Sequence, residues 1–403
     1  MNNSSKTITD YLKSPAFWLV FSFLAVLVVP AIVWDELSES FRSKKLTDEN
    51  RATVSKRPLL QLTRLQRFPK EFQGYYNDAF PFREYLVWSA KKVTGPLTNY
   101  FNSRVVVGKD GYFFYTNASE RHGDESRDFT GEKLWTEAQL GNIVERLEEI
   151  RKGLAEMGID FCMIIAPNKM TIYSDKLPEK RKYKRAEVLR AEQLLGYAAK
   201  HAPELKLIFP ADLLMELRKK VDHSLFLHED THWNELSGYA ATREIIKAFN
   251  GKKELPALEK ANIVQNAIKT IGGDLRTQLG YGVSEGYYYH TVSVPGLEKV
   301  EIRQYNQAFP QDSHCRRSYN PAAPDSRSVW MYRDSFAEAM EPYISMYFQN
   351  VDYYWNIPIR KIQYMGDRKP QLVIFQVVER NLVSVDNLDF NSKRKASLNY
   401  FVP

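Results

Sequence analysis

Ser328-Val-Trp-Met-Tyr-Arg-Asp-Ser335-Phe336 decides how the chain is read, because it joins a strand-like apolar run to a serine just ahead of a helical stretch beginning near Ala337. Runs of the same kind occur at Phe161 to Ile165, Leu205 to Phe209, Leu225 to Leu227 and Leu372 to Val378. Helical pattern separates most of them. One stretch runs from Thr136 to Met157; another starts at Glu235, behind the N-cap residue Asn234, and continues through Ser237, Tyr239, Ala240, Ile245, Ile246 and Phe249. Alternating strands and helices predict an α/β fold with a parallel sheet covered on both faces. Such open sheets place their sites at strand carboxyl ends. Ser335 and the loop after Leu227 are both expected there.

That loop reads Phe226-Leu-His-Glu-Asp-Thr-His232-Trp-Asn234. Serine is a poor nucleophile at neutral pH, and it needs an imidazole to take its proton and a carboxylate to fix the imidazole tautomer. Asp230 and His232 can supply these to Ser335, the carboxylate two residues before the histidine turning back onto Nδ1. The same loop also spells His228-Glu-x-x-His232, a zinc-protease pattern. That chemistry requires both imidazoles on one helical face. Here the helix begins only after His232, so no metal is expected. A simple hydrogen-bonded capping pair between Asp230 and His232 is the structural alternative.

The element Asp230-Thr-His232-Trp233 followed by Arg333-Asp-Ser335-Phe336 resembles the SGNH hydrolase-like domain of bacterial alginate O-acetyltransferases and their relatives in exopolysaccharide acetylation. Other stretches resemble that domain in order: Phe68-Pro-Lys-Glu-Phe72, Tyr76-Asn-Asp-Ala-Phe80-Pro-Phe-Arg83, Gly108-Lys-Asp-Gly-Tyr-Phe-Phe-Tyr115, Ala166-Pro-Asn-Lys169, Gly272-Gly-Asp-Leu275 and Val377-Val-Glu-Arg-Asn-Leu382. The resemblance implies a flavodoxin-like domain with an Asp-x-His element ahead of the serine. It also implies acetyl transfer to a polysaccharide acceptor, a membrane-bound multipass O-acyltransferase as acetyl donor, and no cofactor. The sequence departs from the family at Arg333, which occupies the glycine place of the usual Gly-Asp-Ser block. Trp233, Asn168, Lys169, Arg333 and Arg380 are further candidates for lining the site, Asn168 as an oxyanion donor beside the Ser335 amide. Each also has a purely structural reading, favoured for Arg380 beside Glu379.

Composition is that of a globular protein: 403 residues, 44% hydrophobic and 26% charged, with a net charge of +7. The basic residues are scattered, and Lys180-Arg-Lys-Tyr-Lys-Arg185 reads as a solvated helix start, so no nucleic-acid partner is expected. Ala16 to Trp34 carries no charge. As a helix it would span about 28 Å of a roughly 30 Å hydrocarbon core, which predicts an uncleaved transmembrane anchor. The expected organisation is a cytoplasmic tail 1–15, a membrane helix 16–34, a linker and amphipathic lead-in 35–100, the SGNH-like domain 101–385 and a tail 386–403. The domain includes a Tyr- and Pro-rich insertion over about 250–325, with Tyr281, Tyr287, Tyr288 and Tyr289. The expected location is the bacterial inner membrane, single-pass, with the catalytic domain in the periplasm or extracytoplasmic space. Gly108-Lys-Asp-Gly111 reads as a hairpin turn between Val105-Val-Val107 and Tyr112-Phe-Phe-Tyr115. Two cysteines, Cys162 and Cys315, make no disulfide framework, and whether they pair stays open. A polysaccharide O-acetyltransferase is thus the expected function; an esterase using the same residues with water is the first alternative, and a zinc metalloprotease and a silent glycan-binding scaffold are the less favoured ones.

Overall fold

The computed structural model describes residues 14–36, 58–59, 66–79, 89, 104–116, 125–179, 183–249, 254–259, 262–268, 273–279, 287–304, 314–355 and 369–382. The chain divides into two units, Met1–Pro96 with Leu279–Gly282, and Leu97–Gln278 with Val283–Pro403. In the first, the uncharged run lies in a single helix, Pro15–Glu36, where the rings of Phe17, Trp18 and Phe21 pack on one another. The side chains at 26–28 and 30–36 are outside the described residues, and among those described no helix is long and apolar enough to cross a membrane. A second helix, Phe68–Ala79, stacks Phe68 on Phe72 one turn later. The rest of the 35–100 lead-in falls almost wholly outside the described residues, as does the tail 386–403.

The second unit carries eleven described strands: β1 (Val105–Val107), β2 (Phe113–Tyr115), β3 (Asp160–Ala166), β4 (Lys206–Ile208), β5 (Ile263–Ile268), β6 (Tyr287–Val292), β7 (Ile302–Gln304), β8 (Arg316–Tyr319), β9 (Asp325–Arg333), β10 (Phe348–Trp355) and β11 (Leu372–Val378). Seven form one sheet in the order β4-β3-β11-β9-β10-β8-β7. The first five are parallel to their neighbours, whereas β8 and β7 are antiparallel. Successive side chains of a strand point to opposite faces, and both faces here are apolar. Cys162, Ile164, Val329, Met331, Leu372 and Ile374 enter one core; Phe161, Met163, Trp330, Tyr332, Val373 and Phe375 enter the other. This is why the parallel strands read as unbroken apolar runs rather than alternating ones.

Helices Glu137–Glu156 and Arg190–His201 cover the second face; Ala211–Lys220, Glu235–Ala248 and Glu341–Tyr347 cover the first. Thr136 and Gln139 form a reciprocal capping box at the start of the first of these. Asn234 caps Glu235–Ala248 through the Leu236 amide. The β1–β2 hairpin forms as expected, with Asp110 and Gly111 at φ 54° and 77°, the left-handed conformations that a tight turn demands.

Several expectations are corrected. Leu225–Leu227 is not a sheet strand. Its backbone closes on its own loop instead, with Leu227 N–H donating to His232 O (3.1 Å), Asn234 N–H to Leu225 O (3.0 Å), and a lone bridge between Phe226 and Trp233. The span 250–325 is only partly an insertion: β5 and β6 form a separate hairpin, but β7 and β8 extend the main sheet. The sheet is therefore mixed rather than purely parallel. Lys184 and Arg185 precede a helix that starts only at Arg190, and Arg185 instead pairs with Glu192. Tyr281 and the side chains of Tyr287, Tyr288 and Tyr289 are outside the described residues. Cys162 and Cys315 are not joined to each other: both are buried, in different cores on opposite sides of the sheet.

Candidate active site

Strand β9 ends at Arg333, and Asp334 caps the short 3-10 turn Ser335–Ala339. The Asp334 carboxylate accepts from the Phe336 amide (2.9 Å), the Gln376 amide side chain (2.8 Å) and the Val378 amide (2.7 Å), while its own amide donates to Gln376 (2.9 Å). One half-buried carboxylate thus ties the ends of β9 and β11 and fixes the turn that presents Ser335. Arg333 can stand where the family has glycine because this turn needs no left-handed residue: among the described residues Asp110 is the sole non-glycine with positive φ. The helix Glu235–Ala248 comes against the turn at Gly238, where a Cβ would sit 2.1 Å from Ala339 O. Only glycine admits that approach.

The loop 225–234 brings its histidine to the same point. His232 Nε2 lies 2.6 Å from Ser335 Oγ, and His232 Nδ1 lies 2.6 Å from Asp230 Oδ1, which also accepts the His232 amide (2.9 Å). His232 keeps 29% of its side chain exposed, so a substrate can reach the imidazole. Trp233 holds the other side: its indole N–H donates to Phe336 O (2.6 Å), and the rings of His232 and Trp233 pack on Phe336.

Asp274 joins the site although nothing in its sequence context assigns it a role. Its carboxylate accepts from the Thr231 amide (2.7 Å) and hydroxyl (2.6 Å), its amide donates to Asp230 Oδ2 (3.0 Å), and Oδ2 lies 4.0 Å from His232 Nδ1. Beside it, Arg276 pairs with Glu229 (2.5 Å). Gly273 makes this docking possible, since a Cβ there would meet Glu229 O at 2.1 Å. The Gly-Gly before an aspartate was the only local signal; the contact spans more than forty residues.

Burial disfavours the charged form of both members of the Asp230–His232 pair, but their mutual hydrogen bond and attraction win. Asp230 is held well below the usual carboxylate range, helped by the His232 and Asp274 amides. His232 is raised above its usual value by Asp230 and Asp274, against a smaller opposing effect of Arg380. Asp274 is raised, by burial first and by the Asp230 charge second. Proton abstraction needs neutral His232, so acylation should fall as pH drops through a value above the ordinary 6.5 or so. Asp230→Asn, and less strongly Asp274→Asn, should move that acid limb to lower pH. Linkage to stability runs in both directions. His232, with its folded pKa raised, contributes stability that is fully present below its unfolded value and lost as pH rises through the folded one, whereas Asp230, with its folded pKa depressed, contributes stability present above its unfolded value and lost as pH falls through the folded one. Paired pH–rate and pH–denaturation curves check both. An acid limb unmoved by either substitution would contradict the assignment of His232 as the titrating group.

The other sequence candidates lie deeper. Lys169 is buried, its ammonium donating to carbonyls of Phe113, Leu227, His228 and Asp230. Asn168 accepts from the Arg380 amide at 3.3 Å, and its own amide donates to Glu379. Arg380 pairs with Glu125 (2.8 Å), its guanidinium over the rings of Phe336 and Tyr115. Arg333 is fully buried against Glu341 (2.9 Å). Trp233 is buried too. Lys169, Arg380, Arg333 and Trp233 support the site rather than line an open cleft. His228 does not join His232; its ring packs 4.2 Å from that of Tyr112. Asp230, His232 and Asp274 present atoms within 4.8 Å of one another, a spacing compatible with a metal ion. Those atoms are already committed to the hydrogen bonds above, and we assign no metal.

The family model described as the SGNH hydrolase-like domain of acetyltransferase AlgX matches residues 105–308. The chain belongs to this family. The matched span includes Asp230 and His232 and ends before Ser335, whose place rests on the geometry alone. A curated relative, the probable alginate O-acetylase AlgJ of Pseudomonas fluorescens, is 26% identical over 216 residues, covering 52% of this chain. The chain spans about half the length of that protein. Similar solved structures include Bacillus cereus PatB1 (16% identity, TM-score 0.45, 70% of this chain and 97% of that one). The O-acetyltransferase domain of Pseudomonas putida AlgJ gives 17%, 0.40, 69% and 92%, and Pseudomonas aeruginosa AlgX gives 13%, 0.42, 72% and 67%. The AlgX-family fold is thus an SGNH-like α/β fold around a mostly parallel sheet, as the sequence predicted for the main domain.

Proposed function

We propose that this AlgX-family chain is an O-acetyltransferase that moves acetyl groups through an acyl-serine onto hydroxyls of a cell-surface or secreted polysaccharide. One observation carries the reading: the unbroken line from Asp230 through His232 to Ser335 Oγ, with 2.6 Å at each hydrogen bond. In the first half-reaction Ser335 Oγ attacks the acetyl carbonyl as its proton passes to His232 Nε2. The bond to the donor's leaving group breaks, and that group takes the proton from His232. In the second, a sugar hydroxyl gives its proton to His232 and attacks the acetyl-serine, and Ser335 recovers a proton as it leaves. Asp230 keeps Nδ1 protonated throughout and stabilises the transient imidazolium.

Two donors are available for the oxyanion. The Ser335 amide opens the 3-10 turn and faces no acceptor among the described residues. Asn168 has its carboxamide oxygen engaged by Arg380, which leaves its NH2 group without an acceptor among the described residues. We assign both to the carbonyl oxygen of the tetrahedral intermediate.

The polysaccharide acceptor is supported by the name of the P. fluorescens relative, and the multipass membrane acyltransferase as donor by the family resemblance. The helix Pro15–Glu36 supports a single-pass inner-membrane anchor with the catalytic domain outside the cytoplasm. A periplasm-dependent reporter fused after Pro403 should be active, and the chain should stay with membranes at high salt; a soluble mature form would remove the anchor. The function itself is tested with the full-length protein, an activated acetyl ester and candidate oligosaccharides. Acetylated sugar should form at the expense of free acetate. Release of acetate alone with every acceptor, together with a more heavily acetylated polymer in a deletion strain, would make the protein an esterase.

A further inference from the structure

Three backbone carbonyls of the histidine loop, those of Leu227, His228 and Asp230, converge on one point, and a fourth arrives there from Phe113 of β2. Carbonyl oxygens gathered this closely repel one another unless something positive stands among them. The Lys169 ammonium stands there, donating to Leu227 O at 2.6 Å, to Phe113 O and His228 O at 2.9 Å, and to Asp230 O. An ammonium has three protons for these four acceptors. The cage is therefore fully occupied, more like the oxygen shell of an alkali cation than like a surface lysine. Lys169 is 1% exposed, so none of this is available to a substrate.

Its own position is fixed from the opposite side. Lys169 opens the helix Lys169–Ile172 directly after β3, and Glu379 at the end of β11 receives the Asn168 amide (2.8 Å) and the Thr171 hydroxyl (2.7 Å). The ammonium is thus anchored to two central strands, and the loop that carries Asp230 and His232 hangs from it. Leu225–Leu227 is not in the sheet, and besides Lys169 the loop is tied by Phe113 N–H to His228 O (2.8 Å), the Arg276 amide to Glu229 O (3.0 Å), the Leu225 amide to the Tyr173 hydroxyl (2.9 Å), the Trp233 indole to Phe336 O (2.6 Å) and the Asp274 contacts. Lys169 differs from these in gathering three of the loop's carbonyls on one charge.

We infer that Lys169 is a positioning residue whose positive charge, rather than its bulk, holds the Asp230–His232 loop in register with Ser335. It touches no reacting atom. The inference rests on the acyl-serine reading above, and it is consistent with the electrostatics. Burial lowers the Lys169 pKa to about 8, against the carboxylates of Asp230, Asp274, Glu125 and Glu229, which favour the charged form. The charge should therefore be lost at moderately alkaline pH. Linkage separates that loss from unfolding: a folded pKa below the unfolded one means that this group favours folding more as pH rises from about 8 toward the ordinary 10.4. Activity should fall across a range in which this group does not weaken the fold.

The test follows the rate at which full-length protein forms acetyl-Ser335 from p-nitrophenyl acetate. Lys169→Met keeps the length and removes the charge, and should cost about 10²-fold, the scale of a small misplacement of catalytic groups. Lys169→Ala should lose at least as much and recover about tenfold or more when n-propylammonium, the missing part of the side chain, is added; 1-propanol of the same length should not restore it. Wild type should lose rate between about pH 8 and 10 with its circular dichroism unchanged. A Lys169→Met protein within about threefold of wild type would overturn the inference. So would equal rescue by 1-propanol, failure of the amine to raise the rate of a folded alanine variant, or a wild-type rate flat to pH 10. A wild-type protein that never acetylates Ser335 would instead overturn the acyl-serine reading on which the inference rests.

Discussion

Ser335→Ala and His232→Ala should each abolish acetyl transfer, and Asp230→Asn should reduce it by about 10³- to 10⁴-fold while leaving the fold intact. The reason is geometric. His232 is the one group within hydrogen-bonding distance of Ser335 Oγ among the described residues, and its Nδ1 partner is Asp230. An asparagine at 230 can still bond the imidazole, but its amide group favours the tautomer with the proton on Nε2, where the base is needed. Asp274 stands 4.0 Å from Nδ1 and cannot replace Asp230 without movement, because both its oxygens are held by Thr231. Rates with a small acetyl ester, alongside circular dichroism of each variant, check this. Ser335→Ala with wild-type activity would end the covalent account.

Arg333→Met should cost about 3 kcal/mol of stability, the low end of the penalty for breaking a buried ion pair, because Arg316 remains as the second partner of Glu341. The Arg333 side chain is fully buried, its guanidinium 2.9 Å from Glu341 and 4.6 Å from the centre of the Trp355 ring. Glu341 is buried as well; burial raises its pKa, and Arg333 and Arg316 oppose the rise. Removing Arg333 leaves that carboxylate with Arg316 alone, itself partly exposed. Replacing both partners, Arg333→Met with Glu341→Leu, should recover most of the loss, since an apolar pair of similar volume satisfies the site. Denaturant melts give the numbers. At a temperature where the single variant is folded, its activity should remain near wild type if Arg333 is a scaffold residue. A large rise in KM with unchanged stability would return Arg333 to substrate binding.

The central fold was legible where burial is symmetric. Phe161–Ile165, Ser328–Tyr332 and Leu372–Val378 are apolar on both faces, so their runs stand out without reference to any partner. The caps at Thr136 and Asn234 were legible because capping is local. Strand β10 was missed. It follows helix Glu341–Tyr347 without a connecting residue, and its Asp352 is buried only because Arg317 of β8 meets it from another strand. Leu225–Leu227 misled for the converse reason: three apolar residues suffice for a strand pattern, but their amides and carbonyls are used within the loop.

The site divides the same way. Residue types and spacing pointed to Asp230, His232 and Ser335, and the fold brings these three together. Asp334, Asp274 and the carbonyl cage of Lys169 were not readable. Their chemistry lies in what they hold, and each holds backbone from a segment distant in sequence. Lys169 and Arg333 were read as polar groups near the site, whereas burial turns both inward.

The most direct measurement is of the acyl-enzyme itself. Full-length protein mixed briefly with an activated acetyl ester and quenched in acid should carry one acetyl group on the peptide containing Ser335. An unquenched sample chased with an acceptor oligosaccharide should lose that group faster than in buffer, with the acetyl recovered on the sugar. The account is contradicted if Ser335 never gains the acetyl group, or if the adduct decays at one rate with or without every acceptor and yields only acetate.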